Sequence, residues 1–89
     1  IEVKKGTRSS LQYHKKKHEH IYVDSGRLQV EWENEQGQME VLTLGPGDVI
    51  ENKPLRKHRV TPIEDVRLIE VSTPELDDVV RVEDDYKRG

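Results

Sequence analysis

Residues 6–26 read GTRSSLQYHKKKHEHIYVDSG, and this segment between two glycines is the part of the chain densest in metal-binding side chains. Gln12 and His14 lie two residues apart, so on a β-strand they project from the same face, about 7 Å apart along the chain. Four residues, three of them lysines, separate His14 from Glu19. That length lets the chain turn back antiparallel and place a carboxylate beside the imidazole. The segment therefore predicts metal ligands on two neighbouring strands.

The overall composition predicts one small domain over residues 1–89. Apolar residues make up 31% of the chain and charged residues 37%, which are respectively low and high values for a globular protein. A core with so few apolar residues gains stability from closure into a barrel or from a second subunit. We therefore expect a homodimer, in which strand edges or apolar faces are covered.

The composition also disfavours several classes of protein. The chain has no cysteine, which rules out disulfides, thiolate zinc sites and cysteine nucleophiles and is compatible with a reducing compartment. No apolar run is long enough for a membrane span or a signal sequence. The formal net charge of -3 offers no general attraction for nucleic acid. We expect a cytoplasmic protein that binds neither nucleic acid nor membranes.

The rest of the sequence predicts short strands separated by turns, with hardly any helix. The clearest strand holds Leu28, Val30 and Trp32, which alternate with polar residues so that one face is buried. Asn34 and Gly37 then tolerate the positive φ that a tight hairpin loop requires. Further strands are predicted over residues 1–5, 9–14, 20–24, 39–44, 49–50, 58–61, 66–72 and 79–82, with a short helical turn over 74–78 and a frayed end over 83–89. Strands about ten residues apart indicate an all-β sandwich or barrel.

A second group of interest begins at Pro46-Gly47-Asp48, and His58 follows ten residues after Asp48. A single distant histidine is more often a surface or packing residue than a ligand. If its strand returns across the barrel, however, His58 becomes the fourth donor beside Gln12, His14 and Glu19. This mixed set of nitrogen and oxygen donors suits Zn²⁺, Mn²⁺, Co²⁺ or Fe²⁺ and leaves coordination positions open for water or substrate.

The spacing of these residues resembles two sequence motifs of the cupin superfamily. The positions of the first motif, with glutamine in place of its first histidine, are occupied by Gly6, Gln12, His14, Glu19 and Gly26. Pro46-Gly47 followed by His58 is similar to the second motif. More narrowly, residues 10–26 resemble the "SLQMHHHRAEHWIVVSG" signature of the type II mannose-6-phosphate isomerase domain, and residues 77–88 resemble its ending "DDIVRFEDDYGR". That domain usually follows a nucleotidyltransferase domain in bifunctional mannose-1-phosphate guanylyltransferases.

The resemblance implies a fold, a cofactor and an activity. The fold is an all-β single-domain cupin, a double-stranded β-helix or jelly-roll barrel. The cofactor is a divalent metal ion inside the barrel, with zinc as the first expectation and manganese, cobalt or iron as alternatives. The activity is the interconversion of mannose 6-phosphate and fructose 6-phosphate. Lys17 stands in the place of the arginine to which the family's isomerase chemistry is ascribed, and Lys16, Lys17 and Arg88 are candidates for binding the sugar phosphate.

The lysine run departs from the family pattern. Lys15 and Lys16 replace two histidines, and Lys17 replaces the arginine, which keeps the charge but loses the planar fork of the guanidinium. The run is equally compatible with a solvated hairpin tip. The general base is left open between a metal-bound hydroxide, Lys17 and a histidine.

Two other functions are compatible with the sequence. One is a non-catalytic cupin that binds a sugar or sugar phosphate. The other is a metal-dependent oxygenase, which usually has histidine where Gln12 stands. His18 and His20 are expected to flank the site without binding its metal, because alternation along a strand turns the neighbours of Glu19 away from it.

Overall fold

The structure is a computed structural model that describes residues 1–74 and 78–85. Within these residues the chain forms nine β-strands. They are β1 (Glu2–Val3), β2 (Leu11–His14), β3 (Glu19–Ser25), β4 (Leu28–Glu33), β5 (Met39–Leu44), β6 (Val49–Asn52), β7 (His58–Pro62), β8 (Val66–Ser72) and β9 (Val79–Glu83). No helix in this described part is long and apolar enough to span a membrane. The helical turn predicted over 74–78 falls mainly on residues 75–77, and these, like Tyr86 and Arg88, lie outside the described residues.

The strands form two antiparallel sheets. The four-stranded sheet has the order β1-β8-β3-β6, and the five-stranded sheet has the order β5-β4-β7-β2-β9. Most neighbouring strands are far apart in sequence, as in a jelly roll, but β4 and β5 form a simple hairpin. Its loop holds Gly37 at a φ of 77°, and the Gly37 amide donates to the Asn34 carbonyl oxygen at 3.0 Å. The predicted all-β jelly-roll architecture is confirmed, together with this hairpin.

The segment from His14 to Glu19 does not join two paired strands, contrary to the prediction. β2 pairs with β7 and β9, whereas β3 pairs with β6 and β8. The lysine-rich turn therefore crosses from one sheet to the other. The number of residues between His14 and Glu19 limits the distance between them, but it does not decide which strands exchange hydrogen bonds. His14 and Glu19 still meet, because the inward faces of the two sheets face each other.

Alternating apolar side chains from both sheets fill the core. Leu28 and Val30 of β4 are 0% exposed, as the alternation along this strand predicts. The buried apolar set consists of Ile21, Val23, Leu28, Val30, Leu44, Ile50, Val66 and Leu68. Each such aliphatic side chain stabilises the fold by about 1.5–3 kcal/mol when fully buried. Trp32 packs against this cluster, and its Nε1 donates to the carbonyl oxygen of Glu51 at 2.9 Å, which links the two sheets.

The inward-facing positions of three strands become polar at one end of the sandwich. In β3 the inward position before Ile21 is Glu19, and in β6 the inward position after Ile50 is Asn52. Glu19 and Asn52 are 3% and 1% exposed. In β8, Glu70 continues the inward phase of the strand. The alternation that builds the core thus also delivers Glu19 and Asn52 to one buried place, with Glu70 at its exposed edge.

Gly26 connects β3 to β4 in a conformation that glycine adopts without strain. Its φ is +84°, and a Cβ atom built there would lie 2.2 Å from the carbonyl oxygen of Asp65. Gly47 also has a positive φ, +89°, but no atom of the described residues lies within 4 Å of its Cβ position. Alanine at Gly47 therefore tests the cost of the unfavourable φ alone, whereas alanine at Gly26 adds the cost of a steric clash.

Gly26→Ala should lower the free energy of unfolding well beyond Gly47→Ala. We expect about 1–2 kcal/mol for Gly47→Ala from the positive φ alone. Gly26→Ala should cost at least about 2 kcal/mol more, because the backbone must shift to relieve the clash with Asp65. Urea unfolding followed by the fluorescence of Trp32 measures both values. Equal losses in the two variants would contradict the close approach of Asp65.

Candidate metal centre

Three side chains meet where strands of the two sheets begin or end. His14 is the last residue of β2, Glu19 the first of β3 and His58 the first of β7. They are 7%, 3% and 3% exposed, so all three are buried. β2 and β7 are neighbours in the five-stranded sheet, whereas β3 belongs to the other sheet. These three predicted ligands, the ligand trio, are brought together by the packing of one sheet on the other.

The donor atoms of the ligand trio converge on one carboxylate oxygen. Nε2 of His58 lies 3.3 Å from Oε1 of Glu19, and Nε2 of His14 lies 3.6 Å from the same oxygen. Nδ1 of His58 lies 3.2 Å from the carbonyl oxygen of Arg56, which favours a proton on Nδ1 and leaves Nε2 available to an ion. Two imidazoles and one carboxylate are donors that suit zinc, manganese, cobalt or iron.

The environment of His14 fits a metal ligand. Both of its ring nitrogens are buried, and neither has a hydrogen-bond partner within the described residues. A buried polar atom left without a partner costs about 1–3 kcal/mol. Burial also lowers the pKa of His14, which keeps the imidazole neutral, and the neutral ring is the form that binds metal. A divalent ion bound to a ring nitrogen of His14 would give that nitrogen the partner that it lacks.

Asp78 lies beside His14, and the spacing of the sequence motifs does not predict its presence. Its Oδ1 is 3.3 Å from Nδ1 of His14, and its Oδ2 accepts hydrogen bonds from the backbone amides of Lys16 and Lys17 at 2.7 and 2.9 Å. Burial acts to raise the pKa of Asp78, but these two donors outweigh it and hold the pKa below its usual value. At 3.3 Å the negative charge of Asp78 favours a proton on Nδ1 of His14, which leaves Nε2 for an ion.

Glu19 stays ionised although it is buried. Burial alone would raise its pKa, but contacts with His58, Glu70 and Asn52 outweigh that effect and leave the pKa of Glu19 below the ordinary value. Nδ2 of Asn52 donates one of these bonds to Oε1 at 3.1 Å. The ionised carboxylate is the form that a metal ligand requires.

Lys17 and Glu70 form a polar wall next to the ligand trio. Nζ of Lys17 lies 3.5 Å from Oε2 of Glu19 and 3.3 Å from Oε1 of Glu70. Burial favours the neutral amine, but the two carboxylates outweigh it and raise the pKa of Lys17. The contact with Glu19, assisted by burial, raises the pKa of Glu70. Lys17 is therefore held as a cation, which counts against it as the general base.

The remaining predicted site residues differ in their placement. Gln12 lines the same cavity of about 280 Å³ as the ligand trio and Lys17, and its Oε1 accepts a hydrogen bond from Oγ of Ser10 at 2.6 Å. The oxygen keeps a second lone pair for an ion. Lys16 is exposed and is not among the described residues that line this cavity. Arg88 lies outside the described residues.

No family model and no curated protein matches the chain. Solved structures do match it. Oxalate decarboxylase from Bacillus subtilis, a protein with Mn(II) centres, matches with a TM-score of 0.77 and 23% identity over 91% of this chain and 22% of that chain. A candidate sugar phosphate isomerase from Acidithiobacillus ferrooxidans matches with a TM-score of 0.70 and 22% identity over 86% of this chain and 48% of that chain. KdgF from Halomonas sp. matches with a TM-score of 0.72 and 26% identity over 86% of this chain and 66% of that chain.

These likenesses identify the fold. The chain has the cupin fold, as its two sequence motifs predict. The likeness to KdgF, at 26% identity, supports a place in the cupin superfamily. The chain spans only 22% to 25% of the length of the oxalate decarboxylases that it matches. The narrower resemblance to the type II mannose-6-phosphate isomerase domain stays a prediction.

Replacing His14 or His58 by alanine should remove most of the metal from the purified protein. Loss of even an outer partner of a metal ligand typically costs about 10–100-fold in affinity, and loss of the ligand itself should cost at least as much. Metal analysis after dialysis against metal-free buffer measures the content per chain. Glu40→Ala, which changes an exposed residue of β5 outside the ligand trio, is the control and should retain the metal. Full metal content in both the His14→Ala and His58→Ala variants would place the ion elsewhere.

Proposed function

We propose that the protein is a metal-dependent sugar-phosphate isomerase that interconverts mannose 6-phosphate and fructose 6-phosphate. The observation that carries this proposal is the position of Lys17, whose ammonium group lies beside the ligand trio in one cavity. The reaction passes through an enediol whose oxygens carry developing negative charge, and a fixed cation next to a divalent ion suits that charge. The sequence resemblance and the shared fold of a candidate sugar phosphate isomerase support the proposal.

The proposed cofactor is a divalent metal ion with Gln12, His14, Glu19 and His58 as its ligands. Zinc is the first candidate for imidazole ligands with oxygen donors. Manganese, the metal of the Bacillus subtilis oxalate decarboxylase, is the next candidate, and cobalt and iron are further alternatives. When bound, the ion would polarise the sugar carbonyl and stabilise charge on the enediol oxygens.

We assign roles in the reaction to two side chains that line the cavity. Lys17 would hold an anionic oxygen of the enediol or the phosphate through its ammonium group. Glu70 lines the same cavity and is not a proposed ligand, so we assign to its ionised form the removal of the proton from C2 of mannose 6-phosphate and its return to C1. The C1 oxygen gains a proton as the enediol forms, and the C2 hydroxyl loses one as the enediol becomes the ketone. The cavity of about 280 Å³ is close to the lower end of the size range of small-molecule sites, which suits a monosaccharide.

The substrate phosphate is proposed to bind Lys16, Lys17 and Arg88. Lys16 and Lys17 are adjacent in the turn between β2 and β3, and hydrogen bonds from their amides to Asp78 hold the backbone of this turn. The side chain of Lys16 is exposed, and we assign it to a phosphate that would project from the cavity. The role of Arg88 rests on the sequence resemblance alone.

A non-catalytic cupin that binds a sugar phosphate is the second candidate function. It is favoured by the pairing of Lys17 with both Glu19 and Glu70, since two carboxylates offset the charge that would stabilise the enediol oxygens, whereas the exposed Lys16 can serve a phosphate. In that function the protein would bind sugar phosphates without converting them.

Lys17→Ala should lower the turnover of mannose 6-phosphate by about 100-fold or more, with unchanged metal content, because it removes the cation nearest the reacting oxygens. Lys17→Arg should preserve or improve turnover, because a planar guanidinium can contact two oxygens at once. Lys15→Ala, a change of an exposed lysine in the same turn, is the matched control and should leave turnover near the wild-type value. A coupled assay of fructose 6-phosphate formation on metal-loaded protein measures all four proteins.

The same samples distinguish the two functions. The binding function is supported if no protein turns over substrate but mannose 6-phosphate binds saturably, with an affinity that falls as salt is added. Turnover by the wild type that is indifferent to Lys17→Ala would keep the isomerase and reject the role given to Lys17.

We also propose a homodimer that forms through the outer face of the four-stranded sheet. Tyr22, Val49, Ile69 and Val71 are 42%, 49%, 52% and 57% exposed. Tyr22 lies opposite Val49 in β6 and opposite Ile69 in β8, so these side chains form a continuous apolar row across the sheet. Such a row is more stable when a partner covers it.

Ile69→Glu should convert the dimer into a monomer, because the new carboxylate would lose its hydration inside the contact. Sedimentation at roughly tens of micromolar protein measures the mass, and the monomer has 10.4 kDa. Val41→Glu, at a 63% exposed position of the other sheet, is the matched control and should remain dimeric. A wild type that sediments only as the monomer would contradict the proposed dimer.

A further inference from the structure

A second group of metal-binding side chains lies on the outer face of the four-stranded sheet. His18, His20 and Glu51 each offer one ligand atom, and these atoms all lie within 4.8 Å of one another. The side chains are 37%, 41% and 41% exposed, so ions in solution can reach them. None of the three lines the cavity of the ligand trio. This group, the surface cluster, is therefore separate from the candidate metal centre.

The pairing of strands determines where the surface cluster forms. His20 in β3 and Glu51 in β6 are directly opposite each other in the ladder, at the spacing where cross-strand side chains touch. His18 lies two residues before His20, so an extended chain projects both from the same face. Two hydrogen bonds hold the backbone of His18, since its amide donates to Oγ1 of Thr73 at 3.1 Å and its carbonyl oxygen accepts from the Thr73 amide at 3.0 Å.

The donor atoms of the surface cluster already converge. Nε2 of His18 lies 2.7 Å from Oε2 of Glu51, and Nε2 of His20 lies 3.6 Å from the same oxygen. The two imidazole rings are stacked, with centroids 5.3 Å apart and planes 23° apart. The hydrogen bond from Trp32 to the carbonyl oxygen of Glu51 anchors the third member. Ligands placed in this way before binding lose little conformational entropy when an ion binds.

We propose that His18, His20 and Glu51 form a second divalent metal site. Two imidazole nitrogens and one carboxylate oxygen favour Zn²⁺, Ni²⁺, Co²⁺ or Cu²⁺ over Mg²⁺ and Ca²⁺, which prefer sets made of oxygen atoms. In a single chain the remaining coordination positions face solvent and can take water or a small anion. Val71, which lies opposite His20, belongs to the proposed dimer contact, so the surface cluster would lie at the edge of that contact. Binding is weaker than at the ligand trio, because the half-exposed side chains must give up hydration.

The test is a titration with Zn²⁺ by equilibrium dialysis, on protein without a histidine tag. The wild type should bind two equivalents, one tightly and one more weakly. The double variant His18→Ala/His20→Ala should lose the weaker equivalent and keep the tight one, and the double variant His14→Ala/His58→Ala should do the reverse. Far-ultraviolet circular dichroism confirms that each variant is folded.

Two single variants test the carboxylate ligand. Glu51→Gln should raise the dissociation constant of the weaker equivalent about 10-fold or more, because an amide is a poorer ligand than a carboxylate. Glu40→Gln, a change of an exposed glutamate in β5, is the matched control and should leave both equivalents unchanged. The Ile69→Glu variant should also bind both equivalents, since the surface cluster is built within one chain.

Copper gives a spectroscopic readout of the same site. With the tight site filled by Zn²⁺, one equivalent of Cu²⁺ should give an electron paramagnetic resonance spectrum with nitrogen splitting, which the His18→Ala/His20→Ala variant lacks. The proposal is overturned if the wild type and the His18→Ala/His20→Ala variant bind the same number of equivalents of Zn²⁺. Because each double variant removes one site, failure of the surface site is distinguishable from failure of the buried metal centre.

Discussion

Burial of the Glu19 carboxylate is the constraint on which the rest of the site depends. A charged group that is 3% exposed destabilises the fold unless donors surround it. His58, Asn52 and Lys17 lie around it, and they come from β7, from β6 and from the turn before β3. The strands must therefore meet in one register, because a shift by a single residue would send the donors to the opposite face.

The same carboxylate connects the ligand trio to the proposed substrate-binding cation. Oε1 of Glu19 faces His14 and His58, whereas Oε2 lies near Lys17. Glu70 contacts the ammonium group of Lys17 from a second direction. In the proposed isomerase, an ion that draws on the charge of Glu19 would leave more of the charge of Lys17 to an anionic substrate. Metal and sugar phosphate would then bind cooperatively through one shared carboxylate.

Strand alternation made much of the fold predictable from the sequence. β4 contains Leu28, Val30 and Trp32 as predicted, because a half-buried strand alternates between apolar and polar residues. β5 and β8 have the predicted bounds, 39–44 and 66–72, although exposed apolar residues such as Val41 and Ile69 interrupt that alternation. β1 is predicted over residues 1–5 but spans Glu2–Val3, since it pairs with β8 only at these residues. The inward position of Glu70 was also predictable from the sequence, because Glu70 lies on the same face of the strand as Val66 and Leu68. Alternation likewise predicts that His18 and His20 point away from the site of Glu19.

The sequence by itself determined the kinds of ligand, their spacing and the face of each strand on which they lie. Only the tertiary structure decided which strands meet. It set β2 and β3 in different sheets, contrary to the predicted pairing, and it brought Asn52 and Asp78 to the buried site. It also placed Glu51 opposite His20. The physical reason is that local side-chain patterns specify burial within one strand, whereas pairing and register are set by packing the apolar faces of two sheets together.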